Sequence, residues 1–185
     1  MVINFYNERR KQLLEVRPND GHLGLAELEA DFNVTVVTQN IDNLHERAGS
    51  RRIIHLHGEL TKVCSSRDPY NPHYIKELKP DEYEVKFGDK AGDGTQLRPF
   101  IVWFGEPVPE IETAVNYVEK ADIFVIIGTS MNVYPAAGLL NYVPREAEVY
   151  LIDPKPVDVH SMRRIHVIQK GASEGVRELR SLLQP

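Results

Sequence analysis

The run from Ile123 to Ile127 constrains the fold more than any other segment, because it is an apolar stretch without a polar interruption. A strand with one face in water alternates apolar and polar side chains, whereas a strand covered on both faces reads as a continuous apolar run. The preceding segment has apolar residues at the spacing of an amphipathic helix, namely Ile111, Ala114, Val115 and Val118. A buried strand beside such a helix predicts a parallel sheet covered by helices.

The same alternation runs through most of the chain. Further helices are predicted over residues 2–16, over His22 to Phe32, and in a C-terminal segment capped by Ser173 with Val176, Leu179 and Leu183 inward. Further short strands are predicted at Val34–Thr38, Ile53–His57, Phe100–Phe104, Val149–Ile152 and Val167–Ile168. Strands that alternate with helices predict an α/β fold, a doubly wound parallel sheet of Rossmann-like type.

The stretch from Lys62 to Arg98 breaks this alternation. It is polar and rich in Pro, Gly, Asp and Lys, and it contains GDKAGDG at residues 88–94 with no strand before it. A glycine-rich loop that binds phosphate follows a strand and opens a helix, so this motif is not interpreted as one. We interpret residues 62–98 as a small subdomain inserted into one domain that spans residues 1–185.

Charge and cysteine content narrow the classes of function. The formal net charge of -5 argues against a general nucleic-acid binder, which carries a basic patch. No apolar stretch approaches the roughly 20 residues of a membrane span, and no secretory leader is seen at the start. Cys64 is the single cysteine, which excludes an intrachain disulfide. We therefore expect a cytoplasmic protein with no nucleic-acid or membrane partner. The sequence does not reveal the oligomeric state, and a monomer is the expectation.

Polar side chains gather where two of the predicted strands end. Gln39, Asn40 and Asp42 follow one strand, and His55 and His57 end the next. In an α/β sheet, ligands bind outside the carboxyl ends of the strands. A plain turn needs Asn, Asp or Gly, but it does not need an amide pair, a carboxylate and histidines from adjacent strands. The pattern predicts an active site.

The two histidines allow three interpretations. His55 and His57 are two residues apart, so in a strand both face one side. A metal pair lacks an evident third ligand, and a single histidine is more often packed in a core. We favour one histidine in a cleft as a general base, since imidazole accepts a proton near neutral pH and Gly58 opens space beside the ring.

Two other strand ends carry weaker signals. Gly128 lets a ligand approach the backbone, and the hydroxyls of Thr129 and Ser130 can bind a phosphate or a ribose. A plain strand-to-helix turn explains these residues equally well. Asp153 can accept hydrogen bonds from ribose hydroxyls, although a solvated carboxylate is the commoner case at a strand end.

Tyr6 and Arg9 lie three residues apart and share a face of the first predicted helix. A solvated charged face explains them most simply. The alternative is an anion receptor, because a guanidinium and a phenol can bind one carboxylate together.

Eight segments together closely resemble the sirtuins, the NAD-dependent protein-lysine deacylases. In chain order they are FYNERR, PNDGHLGLAELE, TQNIDNLHERAG, HLHGEL, VWFGE, GTSMNVYPAAGL, a strand ending in Asp153, and KGAS. They cover nearly the whole chain. FYNERR places Tyr6 and Arg9 where the bacterial class that prefers short acidic acyl groups binds a carboxylate, so the resemblance favours the anion receptor.

The resemblance implies roles for individual residues. The expected contacts of NAD are Gln39, Asn40, Ile41, Asp42, Gly128, Thr129, Ser130, Asp153, Pro154, Lys155 and Ala172. The expected contacts of the acylated lysine are Tyr6, Arg9, Val102, Phe104, Gly105, Glu106, Asn132 and Val133. His45 and His55 are expected to be structural.

The resemblance also implies a reaction. Asn40 and Asp42 hold the nicotinamide end of NAD and help to expel nicotinamide, and the acyl oxygen of the modified lysine attacks the anomeric carbon to give an imidate. His57 is the base that deprotonates a ribose hydroxyl, which then attacks the imidate. Succinyl, malonyl and acetyl lysine are the expected substrates. Free lysine, nicotinamide and O-acyl-ADP-ribose are the expected products.

Two departures from the family pattern carry predictions. The family's zinc module uses four cysteines, of which Cys64 matches the first, so we predict no structural zinc and an insertion held by packing. Sirtuins also begin with a strand and a glycine-rich loop that wraps the pyrophosphate, whereas this chain begins at the following helix. We therefore expect these 185 residues alone to bind NAD poorly and to turn over slowly. The alternative functions are an ADP-ribosyltransferase or NAD glycohydrolase on the same site, and a truncated NAD- or peptide-binding module.

Overall fold

The computed structural model describes residues 2–128, 136–156 and 164–184. Its α-helices are α1 (Val2–Glu15), α2 (Asp20–Glu27), α3 (Leu44–Ala48), α4 (Ile111–Val118) and α5 (Ala172–Leu183). Its strands are β1 (Val36–Thr38), β2 (Ile53–His55), β3 (Gly58–Ser65), β4 (Lys76–Glu77), β5 (Leu97–Ile101), β6 (Ile123–Ile127), β7 (Glu148–Ile152) and β8 (Ile165–Ile168). In these ranges, no helix is both long enough and apolar enough to cross a membrane.

A parallel sheet with the strand order β6-β7-β8 forms the centre of the fold. Successive side chains point to opposite faces of a strand. On one face, Ile126 and Leu151 pack against α4 and the 3-10 helix Ala136–Tyr142, and on the other face Ile152 packs against α5. The prediction of a parallel sheet with helices on both faces is confirmed.

β1 and β2 form a second parallel pair, with Thr38 opposite His55. Within the described ranges, β1 pairs with β2 alone and β6 pairs with β7 alone, so the predicted single sheet is present as two. The two sheets share one core, because Ile54 and Leu56 belong to the same buried cluster as Ile126. The polar ends of β1 and β2 are therefore held on the same core as the central sheet.

The segment after β2 folds into a small antiparallel sheet with the order β4-β3-β5. The prediction of a strand at Phe100–Phe104 in the parallel sheet is therefore wrong, since β5 lies three residues earlier and pairs antiparallel with β3. This pairing joins distant parts of the chain, with Cys64 opposite Arg98. A local apolar pattern identifies a strand but does not identify its partner.

Side chains of α1 fix the segment between β4 and β5 to the first helix. The Asn7 amide donates to the Val85 carbonyl at 2.9 Å, and its side-chain oxygen accepts from the Val85 N–H at 3.0 Å. Arg10 is 3% exposed and donates to the Tyr83 carbonyl at 2.8 Å. Arg10 is thus a buried structural residue, although its neighbour Arg9 is exposed.

α2 begins earlier than predicted. It starts at Asp20 rather than His22, because the Asn19 side chain accepts hydrogen bonds from the first free backbone N–H groups of the helix. It tightens into the 3-10 helix Leu28–Ala30 before the predicted end at Phe32.

The C-terminal helix is present as α5, but its predicted cap is wrong. Gly171 occupies the N-cap position without a side-chain hydrogen bond, and Ser173 lies inside the first turn. Val176 and Leu179 face the core as predicted. A Cβ atom on Gly24 would lie 2.7 Å from Val176 Cγ1, so α2 and α5 pack as closely as a glycine permits.

Candidate active site

The loop after β1 lies against the loop after β2. The Leu56 N–H donates to the Thr38 carbonyl at 2.9 Å, and the Leu60 N–H donates to the Ile41 carbonyl at 2.6 Å. The Asn40 N–H donates to Thr38 Oγ1 at 3.0 Å. These bonds fix the backbone of residues 39–42 and leave the Asn40 side chain exposed. The predicted cluster of polar residues is thus brought together by parallel pairing of β1 and β2.

His57 hydrogen-bonds to this loop through one ring nitrogen. Its Nδ1 atom lies 3.2 Å from the Gln39 carbonyl oxygen. A carbonyl only accepts, so Nδ1 carries the hydrogen and Nε2 of the neutral ring holds a lone pair. Among the described residues, none hydrogen-bonds to Nε2. This arrangement suits a general base.

His55 uses both ring nitrogens. Its Nδ1 atom lies 3.3 Å from the Asn40 carbonyl oxygen, and its Nε2 atom lies 2.6 Å from Glu46 Oε1. Glu59 is also close, because ligand atoms of Glu46, His55 and Glu59 all lie within 4.8 Å of one another. Sequence reasoning missed both glutamates, since α3 carries one and β3 carries the other.

Asp42 and His45 help to form α3. The Asp42 carboxylate accepts from the Leu44 N–H at 3.0 Å, which satisfies a free donor at the start of the helix. His45 is buried, and its ring centroid lies 4.7 Å from that of His22. Burial lowers the pKa of His45, and the nearby His22 lowers it further, so His45 stays neutral. Its packing supports the predicted structural role.

Gly58 is needed for a different reason from the one predicted. Its φ is +80°, and a Cβ atom there would lie 2.1 Å from the Phe100 carbonyl oxygen. Gly58 therefore lets β3 approach β5, rather than opening space beside an imidazole. The hydrogen bonding between these two segments extends one residue further, where the Val102 N–H donates to the His57 carbonyl at 2.9 Å.

The VWFGE segment is held by an ion pair. The Arg98 guanidinium donates to both Glu106 carboxylate oxygens, at 2.7 and 2.9 Å, and lies 3.7 Å from the centre of the Trp103 ring. The hydrogen bond from Arg98 keeps the pKa of Glu106 below its usual range. Both Glu106 carboxylate oxygens are therefore already hydrogen-bonded within the protein. The Phe104 side chain is fully exposed, and Gly105 forms the turn with φ +88°.

Tyr6 and Arg9 both contact the ring of Phe5. The Tyr6 ring meets the Phe5 ring edge-on at 5.2 Å, and the Arg9 guanidinium lies 5.1 Å from the centre of the same ring. Arg9 also donates to Gln12 at 3.0 Å, yet its side chain remains exposed. A phenol and an accessible guanidinium thus contact the same aromatic ring.

The other residues predicted to bind NAD lie at the carboxyl ends of β6 and β7 and at the start of α5. Gly128 has φ +61°, and nothing lies within 4 Å of the position of a Cβ atom there. The Asp153 carboxylate accepts from the Lys155 N–H at 2.8 Å. Pro154 and Ala172 are exposed. The predicted contacts that lie outside the described residues are Thr129, Ser130, Asn132 and Val133.

Cys64 is a buried residue of the small antiparallel sheet. Its Sγ atom lies 3.8 Å from the Pro99 carbonyl oxygen, and burial raises the pKa of the thiol to about 11. A tetrahedral zinc site takes four ligands, and Cys64 is the single cysteine of the chain. The adjacent Ser65 hydroxyl donates to Asp93 at 2.6 Å, which ties β3 to the following loop. The absence of zinc stays a prediction, and these contacts support it.

A surface depression of about 600 Å³ lies elsewhere. It is lined by residues 29–34 together with Arg51 and Arg52, at the amino ends of β1 and β2. The polar cluster is at the opposite, carboxyl ends of these strands, so we do not assign the depression to the candidate site.

Comparisons with known proteins match residues 2–135 to the Sir2 family. A protein of Bacteroides thetaiotaomicron named NAD-dependent protein deacylase is 84% identical over 185 residues, which are 100% of this chain and 79% of that protein. A solved structure of a Sir2 homologue with NAD matches with a TM-score of 0.80 and 34% identity, over 98% of this chain and 72% of the other. A Sir2 structure with a p53 peptide and NAD+ matches with a TM-score of 0.73 and 27% identity, over 92% of this chain and 72% of the other.

Proposed function

The chain belongs to the Sir2 family, and we propose that it is an NAD-dependent protein deacylase that removes acyl groups from lysine side chains. The observation that carries the proposal is the orientation of His57. Its Nδ1 atom is committed to the Gln39 carbonyl, so Nε2 is the available proton acceptor beside the loop of residues 39–42.

The residues present fit NAD as a co-substrate. The backbone N–H and carbonyl of Asn40 are bonded within the protein, which fixes its main chain, and the exposed side-chain amide is accessible to the nicotinamide end. The open space beside Gly128 lets a ligand approach the backbone, and Asp153 retains acceptor capacity for ribose hydroxyls. We assign these groups to the two ends of the cofactor.

His57 takes a proton from a ribose hydroxyl, which makes that oxygen the nucleophile for the acyl carbon. Over the whole reaction, the lysine amide bond and the bond between nicotinamide and ribose both break, and one water is consumed. The acyl group leaves as an ester of ADP-ribose, and the amine of lysine is freed.

We propose that the site prefers acyl groups that carry a carboxylate. The Arg9 guanidinium and the Tyr6 phenol can bind the far carboxylate of a succinyl or malonyl chain, while acetyl lysine lacks this group. The exposed Phe104 is available to cover the apolar stem of the lysine.

Replacing Arg9 with methionine is expected to lower kcat/KM for desuccinylation by about 10- to 100-fold, the value of one hydrogen-bonded charge pair. Deacetylation should be unchanged, because acetyl lysine offers no carboxylate. The measurement is the ratio of the two rates on one peptide sequence, followed by mass spectrometry. Lys11→Met, an exposed cation on the same helix, is the matched control and should leave the ratio unchanged. Equal loss of both activities in Arg9→Met contradicts the specificity assignment.

The function is tested by nicotinamide release with and without an acylated peptide. A deacylase releases nicotinamide only when the acylated peptide is present, and unmodified peptide does not substitute for it. Release at the same rate without any peptide would identify an NAD glycohydrolase instead. Acyl-peptide binding without release would identify a binding module.

A further inference from the structure

The buried side chain of His55 connects the loop of residues 39–42 to α3. Its ring is 8% exposed, and Glu46 at the far end is 38% exposed. The ring spans from the Asn40 carbonyl, 3.3 Å from Nδ1, to Glu46 Oε1, 2.6 Å from Nε2. His57, two residues later, reaches the preceding carbonyl, that of Gln39. Two histidines thus bind consecutive carbonyls of one loop, and of the two it is His55 for which a second side-chain partner, Glu46, is described.

The two hydrogen-bond partners of His55 determine which protonation state of the ring satisfies them both. A carbonyl and a carboxylate only accept hydrogen bonds, and a neutral imidazole has one N–H. The imidazolium has two N–H groups and satisfies both partners. When the ring loses a proton, the remaining hydrogen stays with the carboxylate, because a charge-assisted bond is the stronger one. The bond to the Asn40 carbonyl is the one that is lost.

We propose that His55 is a positioning residue that, as an imidazolium, holds the Asn40 carbonyl and thereby orients the Asn40 side chain for the nicotinamide end of NAD. The proposal rests on the proposed function of this site and goes beyond it. It assigns His55 a charge-dependent part in the reaction, in place of the purely structural role expected from the sequence.

The charged surroundings of His55 favour the protonated ring. Burial lowers the pKa of His55, but the hydrogen bond and the charge of Glu46, the Asn40 carbonyl and the charge of Glu59 outweigh it, so the net shift is upward. Glu59 also forms an ion pair with Lys62 at 2.6 Å. The positive charge of Lys62 reduces the effect of Glu59 on the pKa of His55. His45 on α3 also lies near His55, but its burial lowers its pKa and keeps it neutral.

The sign of the pH dependence follows from this shift. A raised pKa means that the positive charge of His55 is present at lower pH and is lost as the pH rises through that pKa. The proposed reaction also uses His57 as the proton acceptor, and that role is separate from the loss of the His55 charge at high pH. The wild type should therefore lose activity on the alkaline side when the Asn40 carbonyl is released.

Glu46→Gln gives the decisive variant, because an amide can donate as well as accept. A neutral His55 can then accept from Gln at position 46 through Nε2 and keep its Nδ1 hydrogen on the Asn40 carbonyl. We expect the pKa of His55, measured by NMR, to fall in this variant. We also expect an alkaline loss in kcat/KM of about 10-fold in the wild type and of less than about twofold in Glu46→Gln. Glu112→Gln, which removes an exposed carboxylate from α4, is the charge-matched control and should behave as the wild type.

The NMR readout does not depend on catalysis. The amide nitrogen of Ile41 belongs to the same peptide group as the Asn40 carbonyl, so its chemical shift should follow the titration of His55 in the wild type. In Glu46→Gln this coupling should disappear. A wild type that shows the coupled titration but no deacylation would overturn the proposed function and leave the charge-dependent contact supported.

Two results would overturn the positioning role. One is a pKa of His55 no higher than that of the exposed His73, measured in the same titration. The other is an equal alkaline loss of activity in the wild type and in Glu46→Gln. Every titration is repeated in EDTA, because Glu46, His55 and Glu59 are close enough to share a metal ion. A wild-type alkaline loss that vanishes in EDTA would also overturn the proposal, in favour of a bound metal.

Discussion

Replacing His57 with asparagine is expected to lower kcat/KM for deacylation by about 100- to 10,000-fold, the range that a general base contributes. Asparagine can still donate to the Gln39 carbonyl, so the loop keeps its bond while the proton acceptor at Nε2 is removed. The measurement is the initial rate of free-lysine peptide formation at saturating NAD. The KM for the peptide should change little, because the substitution acts on a chemical step.

The matched control is His73→Asn, which removes an exposed histidine from the 3-10 helix Pro72–Tyr74. This variant should retain wild-type activity. The base assignment would be contradicted if His57→Asn kept more than about one-tenth of the wild-type kcat/KM.

Replacing Gly58 with alanine is expected to reduce the free energy of unfolding by at least about 4 kcal/mol, in the range of exceptional destabilisation. The new Cβ atom would lie 2.1 Å from the Phe100 carbonyl oxygen, and β3 would have to move away from β5. The left-handed backbone of Gly58 adds a smaller cost. Urea unfolding, monitored by circular dichroism, measures the difference from the wild type.

Gly94→Ala separates these two costs. Gly94 has φ +77°, close to that of Gly58, but nothing lies within 4 Å of the position of its Cβ atom. It should lose only about 1–2 kcal/mol, the cost of a left-handed conformation for an L-residue. Similar losses in the two variants would mean that contact with the Phe100 carbonyl is unimportant.

The central sheet was predictable because its signal is local. Ile123 to Ile127 reads as a strand buried on both faces, and β6 has these bounds. The polar cluster was predictable for the same reason, since parallel strands place their carboxyl ends together and the pairing of Thr38 with His55 does so.

The partners of the site residues were not predictable, because they depend on contacts between distant segments. Nothing in the local sequence marks Glu46 as the partner of His55, or Arg98 as the partner of Glu106. The antiparallel pairing of β3 with β5 decides where Gly58 and Cys64 lie. The pattern of a single sequence indicates which residues form helices and strands, but it does not determine which distant segments pair.

The most direct test of the account is the mass balance of the reaction. The protein is incubated with a succinyl-lysine peptide and NAD, and liquid chromatography with mass spectrometry quantifies free-lysine peptide, nicotinamide and succinyl-ADP-ribose. The ratio of products is the readout, so the test does not depend on the rate of turnover. We predict equal amounts of the three products and none without NAD. Free-lysine peptide together with free succinate in the absence of NAD, or ADP-ribose formed while the peptide stays acylated, would contradict the account.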